Sequence, residues 1–143
     1  MATERKAEVV WQGDLMNGSG TIQSVTSGAI GPLDVSWPSR AEEPNGKTSP
    51  EELIAAAWAA CFAMALSNGL AKAGNPPEKL ETSATVTFQP GEGITKGALT
   101  VRGSVPGMDE DAFRAAADEA KKNCPVSQAL AGIPDVTLEA SLA

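Results

Sequence analysis

The run Thr48-Ser49-Pro50-Glu51-Glu52-Leu53-Ile54-Ala55-Ala56-Ala57-Trp58-Ala59-Ala60-Cys61-Phe62-Ala63-Met64-Ala65-Leu66 announces a helix and says where it starts. Ser49 can serve as N-cap, and Pro50 suits the first helical position because its missing N–H is not needed there. Glu52, three residues after the cap, completes a capping-box pattern, and Glu51 and Glu52 both complement the positive helix end. Residues 53–66 are 14 apolar residues without a break, which predicts a helix buried on every side. It can run to about residue 73, where Gly74 offers a left-handed cap and Pro76-Pro77 forbid continuation. A chain of 143 residues has little room to surround such a helix, so sheets on both sides or a partner subunit must cover it.

Outward from this helix the chain alternates in short elements. Residues 8–11, 21–25 and 30–35 read as three strands with Gly-bearing turns, a meander, with Pro32 marking the third as an edge. Residues 38–46 carry Pro, Asn-Gly and acids around Arg40 and predict a loop. Beyond the helix, residues 82–88 and 98–105 predict two more strands. A second helix is expected over 109–122, acidic at its start and basic at its end, with Phe113, Ala116, Ala117 and Ala120 at helical spacing. Cys124-Pro125 interrupts it, a short helix follows over 125–131, and a last strand over 136–142. The order is β-β-β-α-β-β-α-α-β, one α+β domain over residues 1–143 with a long central helix between sheets.

Composition narrows the chemistry. With 42% hydrophobic and 20% charged residues the chain is globular. Eleven Lys+Arg against 18 Asp+Glu give a net charge of −7, which argues against a nucleic-acid partner. There is no His, so Ser-His and Cys-His nucleophilic sites and His metal ligands are excluded, and no Tyr. Two Cys cannot build a four-ligand zinc site, and no cofactor or metal is called for. The N-terminal residues lead into no apolar segment of the secretory type, and the 14-residue apolar run falls short of the about 20 residues of a membrane span. A soluble cytoplasmic protein without a membrane partner is expected. Structural disulfides are rare in that compartment, so Cys61 and Cys124 read as free thiols or a redox pair.

Each candidate residue has two readings. Cys61, inside the apolar run, is a small buried hydrophobe or a reactive thiol. Cys124, just before Pro125 at a helix start, is a capping position or a thiol made acidic by the helix field. The residues alone favour Cys124 as the more acidic unless Cys61 has a cationic neighbour. Arg40 is a solvated loop cation or that neighbour; Glu51 is a first-turn acid or its partner. Trp58, three residues before Cys61 on the same helix face, is core or the wall of a site.

Together with Asn123-Cys124-Pro125-Val126-Ser127-Gln128-Ala129-Leu130 and Trp11-Gln12-Gly13-Asp14-Leu15, the helix run resembles the osmotically inducible protein C / organic hydroperoxide resistance (OsmC/Ohr) family of thiol peroxidases. The resemblance implies an OsmC-like fold and a two-cysteine peroxidase. On it, Cys61 is the peroxidatic thiolate, Cys124 the resolving thiol, and Arg40 with Glu51 the pair that activates Cys61. The implied substrates are organic hydroperoxides, with hydrogen peroxide a further candidate, and the implied reductant is a dithiol of lipoyl type. Arg40 after the third strand resembles the OsmC branch. Ser49 in place of the usual Asn, Trp58 in place of a frequent His and Ala41 where an aromatic is common bear on the pocket shape.

The chemistry is consistent with that implication. A thiolate is the nucleophile, a guanidinium stabilises it and a carboxylate fixes the guanidinium plane. Ten residues separate Glu51 from Cys61, about 15 Å of helix, and helical side chains lean toward the N-terminus. The Arg40–Glu51 pair is therefore expected to reach Cys61 across a two-fold homodimer interface. The competing reading is a non-enzymatic thiol redox sensor or binding protein on the same fold, which would react with peroxide once and not turn over.

Overall fold

A computed structural model describes residues 1–143. The elements in chain order are β1 (Ala7–Gln12), β2 (Ser19–Val25), β3 (Leu33–Val35), α1 (Trp37–Ala41), α2 (Pro50–Lys72), β4 (Lys79–Gln89), β5 (Gly93–Ser104), α3 (Glu110–Asn123), α4 (Pro125–Ala129) and β6 (Asp135–Leu142). The α+β class and the expected order hold, with α1 as an addition. Where a loop was expected, the Ser36 hydroxyl accepts from the Ser39 N–H at 3.2 Å and the Ser39 hydroxyl accepts from the Ser36 N–H at 3.0 Å. That reciprocal cap, with Pro38 at the second helical position, starts one and a half turns of helix inside turn-like composition. The third strand is shorter than expected, since it begins only after Gly31-Pro32.

The capping signals of α2 are met with one change. The Ser49 hydroxyl accepts from the Glu52 N–H at 3.2 Å. The Glu52 carboxylate accepts from the Thr48 hydroxyl at 2.9 Å, so the second half of the expected box goes to a side chain. At the other end Gly74 has φ of +90°, and the Asn75 N–H reaches back to the Leu70 carbonyl at 2.9 Å. For α3 the cap is Asp109, whose carboxylate accepts from the Ala112 N–H at 2.8 Å.

The chain divides into two compact units, Met1–Leu53 and Ile54–Ala143. In the first, β1, β2 and β3 form an antiparallel meander. Its buried side chains include Ile22, Ser39 and Glu51, whereas Val9, Val10, Trp11, Leu15 and Met16 are exposed. The second unit holds the hydrophobic core. Its sheet has the order β4-β5-β6, with β4 antiparallel and β6 parallel to β5. The parallel pair needs a crossover, which α3 and α4 supply. β4 alternates, with Leu80, Thr82, Ala84 and Val86 turned inward and Glu81, Ser83 and Thr85 outward. From α2, Trp58, Phe62, Leu66 and Leu70 recur every four residues and are all buried, in one cluster with Leu99, Val101, Phe113, Ala117 and Cys124. Each fully buried large apolar side chain contributes about 1.5–3 kcal/mol.

The expectation of a helix buried on every side is met along one stripe only. Ala56, Ala57, Ala60 and Met64 are exposed in the single chain, because β4–β6 and α3 supply cover to one face. By length and composition α2 is also long and apolar enough to cross a membrane, with a mean hydropathy of 1.7 over an 18-residue stretch. The unbroken 14-residue run understated this, since Ser67, Asn68 and Gly69 dilute the helix end without charging it.

Candidate active site

Pro125 disfavours helical backbone at the residue before it, and this sets the position of Cys124. With φ −60° and ψ 120°, Cys124 is both the C-cap of α3 and the N-cap of α4. Its N–H bonds to the Ala120 carbonyl at 2.9 Å and its carbonyl accepts from the Gln128 N–H at 3.0 Å. The thiol, tied at both ends, is fully buried, while Cys61 on α2 is half-buried. Both thiols are free; Cys61 packs against the core cluster that contains Cys124, and the two thiols influence each other's ionisation. Sixty-three residues of sequence separation are thus closed inside one core.

The two thiols are pushed in opposite directions. Burial raises the Cys61 thiol, and its hydrogen bond and charge interaction with Cys124 raise it further against the Val126 amide. Burial also raises the Cys124 thiol, but the Cys61 thiol, the amide and hydroxyl of Ser127 and the Val126 amide outweigh it and hold Cys124 below its ordinary value. The Cys124 side chain makes no aligned cap hydrogen bond to the first turn of α4. In the single chain Cys124 is the more acidic thiol, as its position before Pro125 suggested.

Around this pair Trp58 is fully enclosed, and its indole N–H donates to the Ser127 hydroxyl at 2.7 Å. The ring rests on the backbone of β5 at Gly97, where a Cβ would lie 2.5 Å from it. Trp58 is therefore both core and wall, the two roles its helix face allowed. Thr82, turned inward from β4, donates its hydroxyl to the Ala59 carbonyl at 3.1 Å. A cavity of about 500 Å³ lined by Trp58, Ser127, Lys121, Lys122, Ile133 and Val136 opens beside the indole.

Arg40 and Glu51 meet in the first unit. Arg40 Nε donates to Glu51 Oε1 and Nη2 to Oε2, both at 2.9 Å, a bidentate fork closed by α1 and the first turn of α2. The Glu51 side chain is 8% exposed and that of Arg40 31% exposed. So Cys61 is brought to Cys124 and Arg40 to Glu51, one pair in each unit. Ser127 was not singled out from the sequence, although its place three residues after Cys124, on the same turn, is a signal that could have found it.

A family model described as OsmC-like protein matches residues 43–139. The chain belongs to the OsmC-like family. It is 41% identical over 145 residues to Peroxiredoxin OsmC of Escherichia coli (strain K12), covering 99% of each chain. It is 37% identical over 95 residues to an organic hydroperoxide resistance protein of Xanthomonas axonopodis pv. citri (strain 306), covering 64% of this chain and 65% of that one. A crystal structure of an organic hydroperoxide resistance protein OsmC from Legionella pneumophila superposes with a TM-score of 0.72 at 27% identity, over 95% of this chain and 96% of that one. Within the OsmC-like family this chain is an enzyme of the cysteine-based peroxidase kind.

Proposed function

We propose that the chain reduces organic hydroperoxides to alcohols with Cys61 as peroxidatic thiolate and Cys124 as resolving thiol, and that a dithiol of lipoyl type restores both thiols. The observation that carries this reading is the thiol pair, a half-buried Cys61 packed against the core cluster that holds a sealed Cys124. The Cys61 thiolate attacks one peroxide oxygen, the O–O bond breaks, and the departing alkoxide takes up a proton to leave as alcohol. Cys124 thiolate then attacks the sulfur of the Cys61 sulfenic acid, the S–S bond forms, and the hydroxyl leaves as water. Reduction of the disulfide by the dithiol closes the cycle.

Cys61, whose thiol is held up in the single chain, needs a cation to ionise near neutral pH. The Arg40 fork fixed by Glu51 has the chemistry for that task and for donating to the peroxide oxygens. Ten residues of α2, about 15 Å, lie between Glu51 and Cys61, so this reading gives the fork to the partner protomer of a homodimer. The exposed Val9, Val10, Trp11 and Met64 support a second copy as their cover. We take the cytoplasm as the compartment, where thiols stay reduced between turnovers.

Steady-state consumption of tert-butyl hydroperoxide with dihydrolipoamide tests the reading. Cys61→Ser is expected to abolish turnover, and Cys124→Ser to react once and then over-oxidise. A wild-type chain that consumes no more than one equivalent would replace the peroxidase by the sensor.

A further inference from the structure

The hydrogen bond from Trp58 to Ser127, three residues after Cys124, has no part in the steps above. We propose that Ser127 fixes the direction in which the Cys61–Cys124 disulfide opens: its hydroxyl, turned toward Cys124 by the Trp58 indole N–H, holds Cys124 as the leaving thiolate, and the incoming dithiol attacks the sulfur of Cys61. This rests on the two-cysteine peroxidase reading and adds to it a catalytic residue, Ser127, and a positioning residue, Trp58.

The indole N–H can only donate. Its bond to Ser127 Oγ at 2.7 Å occupies one lone pair of the hydroxyl and leaves the hydroxyl proton to point elsewhere. Ser127 follows Cys124 by three residues in the first turn of α4, so the two side chains are neighbours, and the hydroxyl is among the groups that favour the Cys124 thiolate. The donor cannot swing away. Trp58 is 1% exposed, and its ring lies against Gly97, a position where any side chain would collide with it.

Access gives the same direction. An attacking thiolate must approach in line with the S–S bond from the side opposite the leaving sulfur. Cys61 is half-buried whereas Cys124 has no exposed surface, so attack at Cys61 comes from outside and expels Cys124 inward, toward Ser127. The more acidic thiol also leaves faster. In the first exchange the dithiol, as its monothiolate, forms a bond to Cys61 sulfur, and Cys124 departs with the electron pair of the broken S–S bond. In the second, the other thiol of the reductant, deprotonated, attacks its own first sulfur and releases Cys61 as thiolate. The dithiol is oxidised to a cyclic disulfide, the protein disulfide is reduced by two electrons, and the two protons given up by the reductant balance those taken up by the protein thiols.

The test begins with wild-type protein oxidised by one equivalent of tert-butyl hydroperoxide. It is then treated briefly with 2-mercaptoethanol, a monothiol that cannot complete the second exchange intramolecularly, the reaction is quenched with acid, and the mixed disulfide is located by peptide mass mapping. The adduct is expected on Cys61 with Cys124 free; an adduct mainly on Cys124 overturns the proposal. Opening of the disulfide should be about three- to tenfold slower in Ser127→Ala, largely restored in Ser127→Thr, and slowed in Trp58→Phe. An unchanged rate in Ser127→Ala would also overturn it. A merely structural role is excluded by a second readout: in reduced Cys61→Ser protein, Ser127→Ala should move the pH midpoint of Cys124 alkylation upward. If hydroperoxide fails to form the disulfide at all, the peroxidase reading falls; the disulfide made with diamide still tests the direction of opening.

Discussion

Arg40 grips Glu51 at two points, and a carboxylate this buried is held there by the fork. Glu51→Gln replaces two charge-assisted bonds by at most one neutral acceptor and loosens the hold on the guanidinium plane. We expect kcat/KM for tert-butyl hydroperoxide to fall by about tenfold or more while far-UV circular dichroism is unchanged; an undiminished kcat/KM would remove the pair from the mechanism. The thiols make a separate prediction. A thiol raised on folding contributes stability below the unfolded thiol pKa and loses it as pH rises through the folded value, which is the case of Cys61. Cys124, lowered on folding, contributes above the unfolded thiol pKa and loses this as pH falls through its folded value. Urea unfolding under reducing conditions at neutral and alkaline pH should therefore show Cys124→Ser, in which burial still raises Cys61, losing stability relative to the Cys61→Ser, Cys124→Ser double variant as pH rises. The place of Cys124 at a helix start was legible in the sequence because Pro125 sets it locally. Its support by Ser127, oriented by a Trp 69 residues away, was not, because only the packing of α2 against α4 creates it.

At the scale of elements, the legible parts were those written in consecutive residues. Ser49-Pro50, Asp109 and Gly74 mark the ends of α2 and α3 because caps are satisfied by backbone groups one turn away. The helix α1 was hidden for the converse reason: its reciprocal Ser36–Ser39 cap lies in a segment whose Pro, Asn and Gly content reads as turn. The role of Gly97 was also out of reach, since nothing local requires a glycine there. Its Cα hydrogen is what allows the indole of Trp58 to lie on β5, and an added Cβ would sit 2.5 Å from the ring. Gly97→Ala should destabilise the protein by about 1–3 kcal/mol through overpacking, read as a lowered urea midpoint. It should also slow reductive opening of the disulfide, because displacing the indole loosens its bond to Ser127. A variant with wild-type stability would show that the ring has room to shift.

At the scale of the whole molecule, the sequence signalled a helix with more apolar surface than one chain can cover. In the single chain only the Trp58, Phe62, Leu66 and Leu70 stripe of its apolar residues is fully buried. The proposed homodimer makes a genetic prediction. Co-expressed Cys61→Ser and Glu51→Gln chains form mixed dimers in which one protomer keeps Cys61 and the other keeps the Arg40–Glu51 fork. If the fork acts across the interface, random pairing restores about a quarter of wild-type turnover, from one intact site in half of the dimers. If it acts within its own chain, co-expression restores nothing. The claim on which the rest depends is the couple formed by Cys61 and Cys124, and the most direct measurement is of both thiols after one equivalent of tert-butyl hydroperoxide without reductant. Both free thiols should disappear together, peptide mapping should find Cys61 linked to Cys124, and Cys124→Ser should retain a sulfenic acid at Cys61. Two thiols left free after the peroxide is added, or a sulfenic acid found on Cys124 with Cys61 untouched, would contradict that claim.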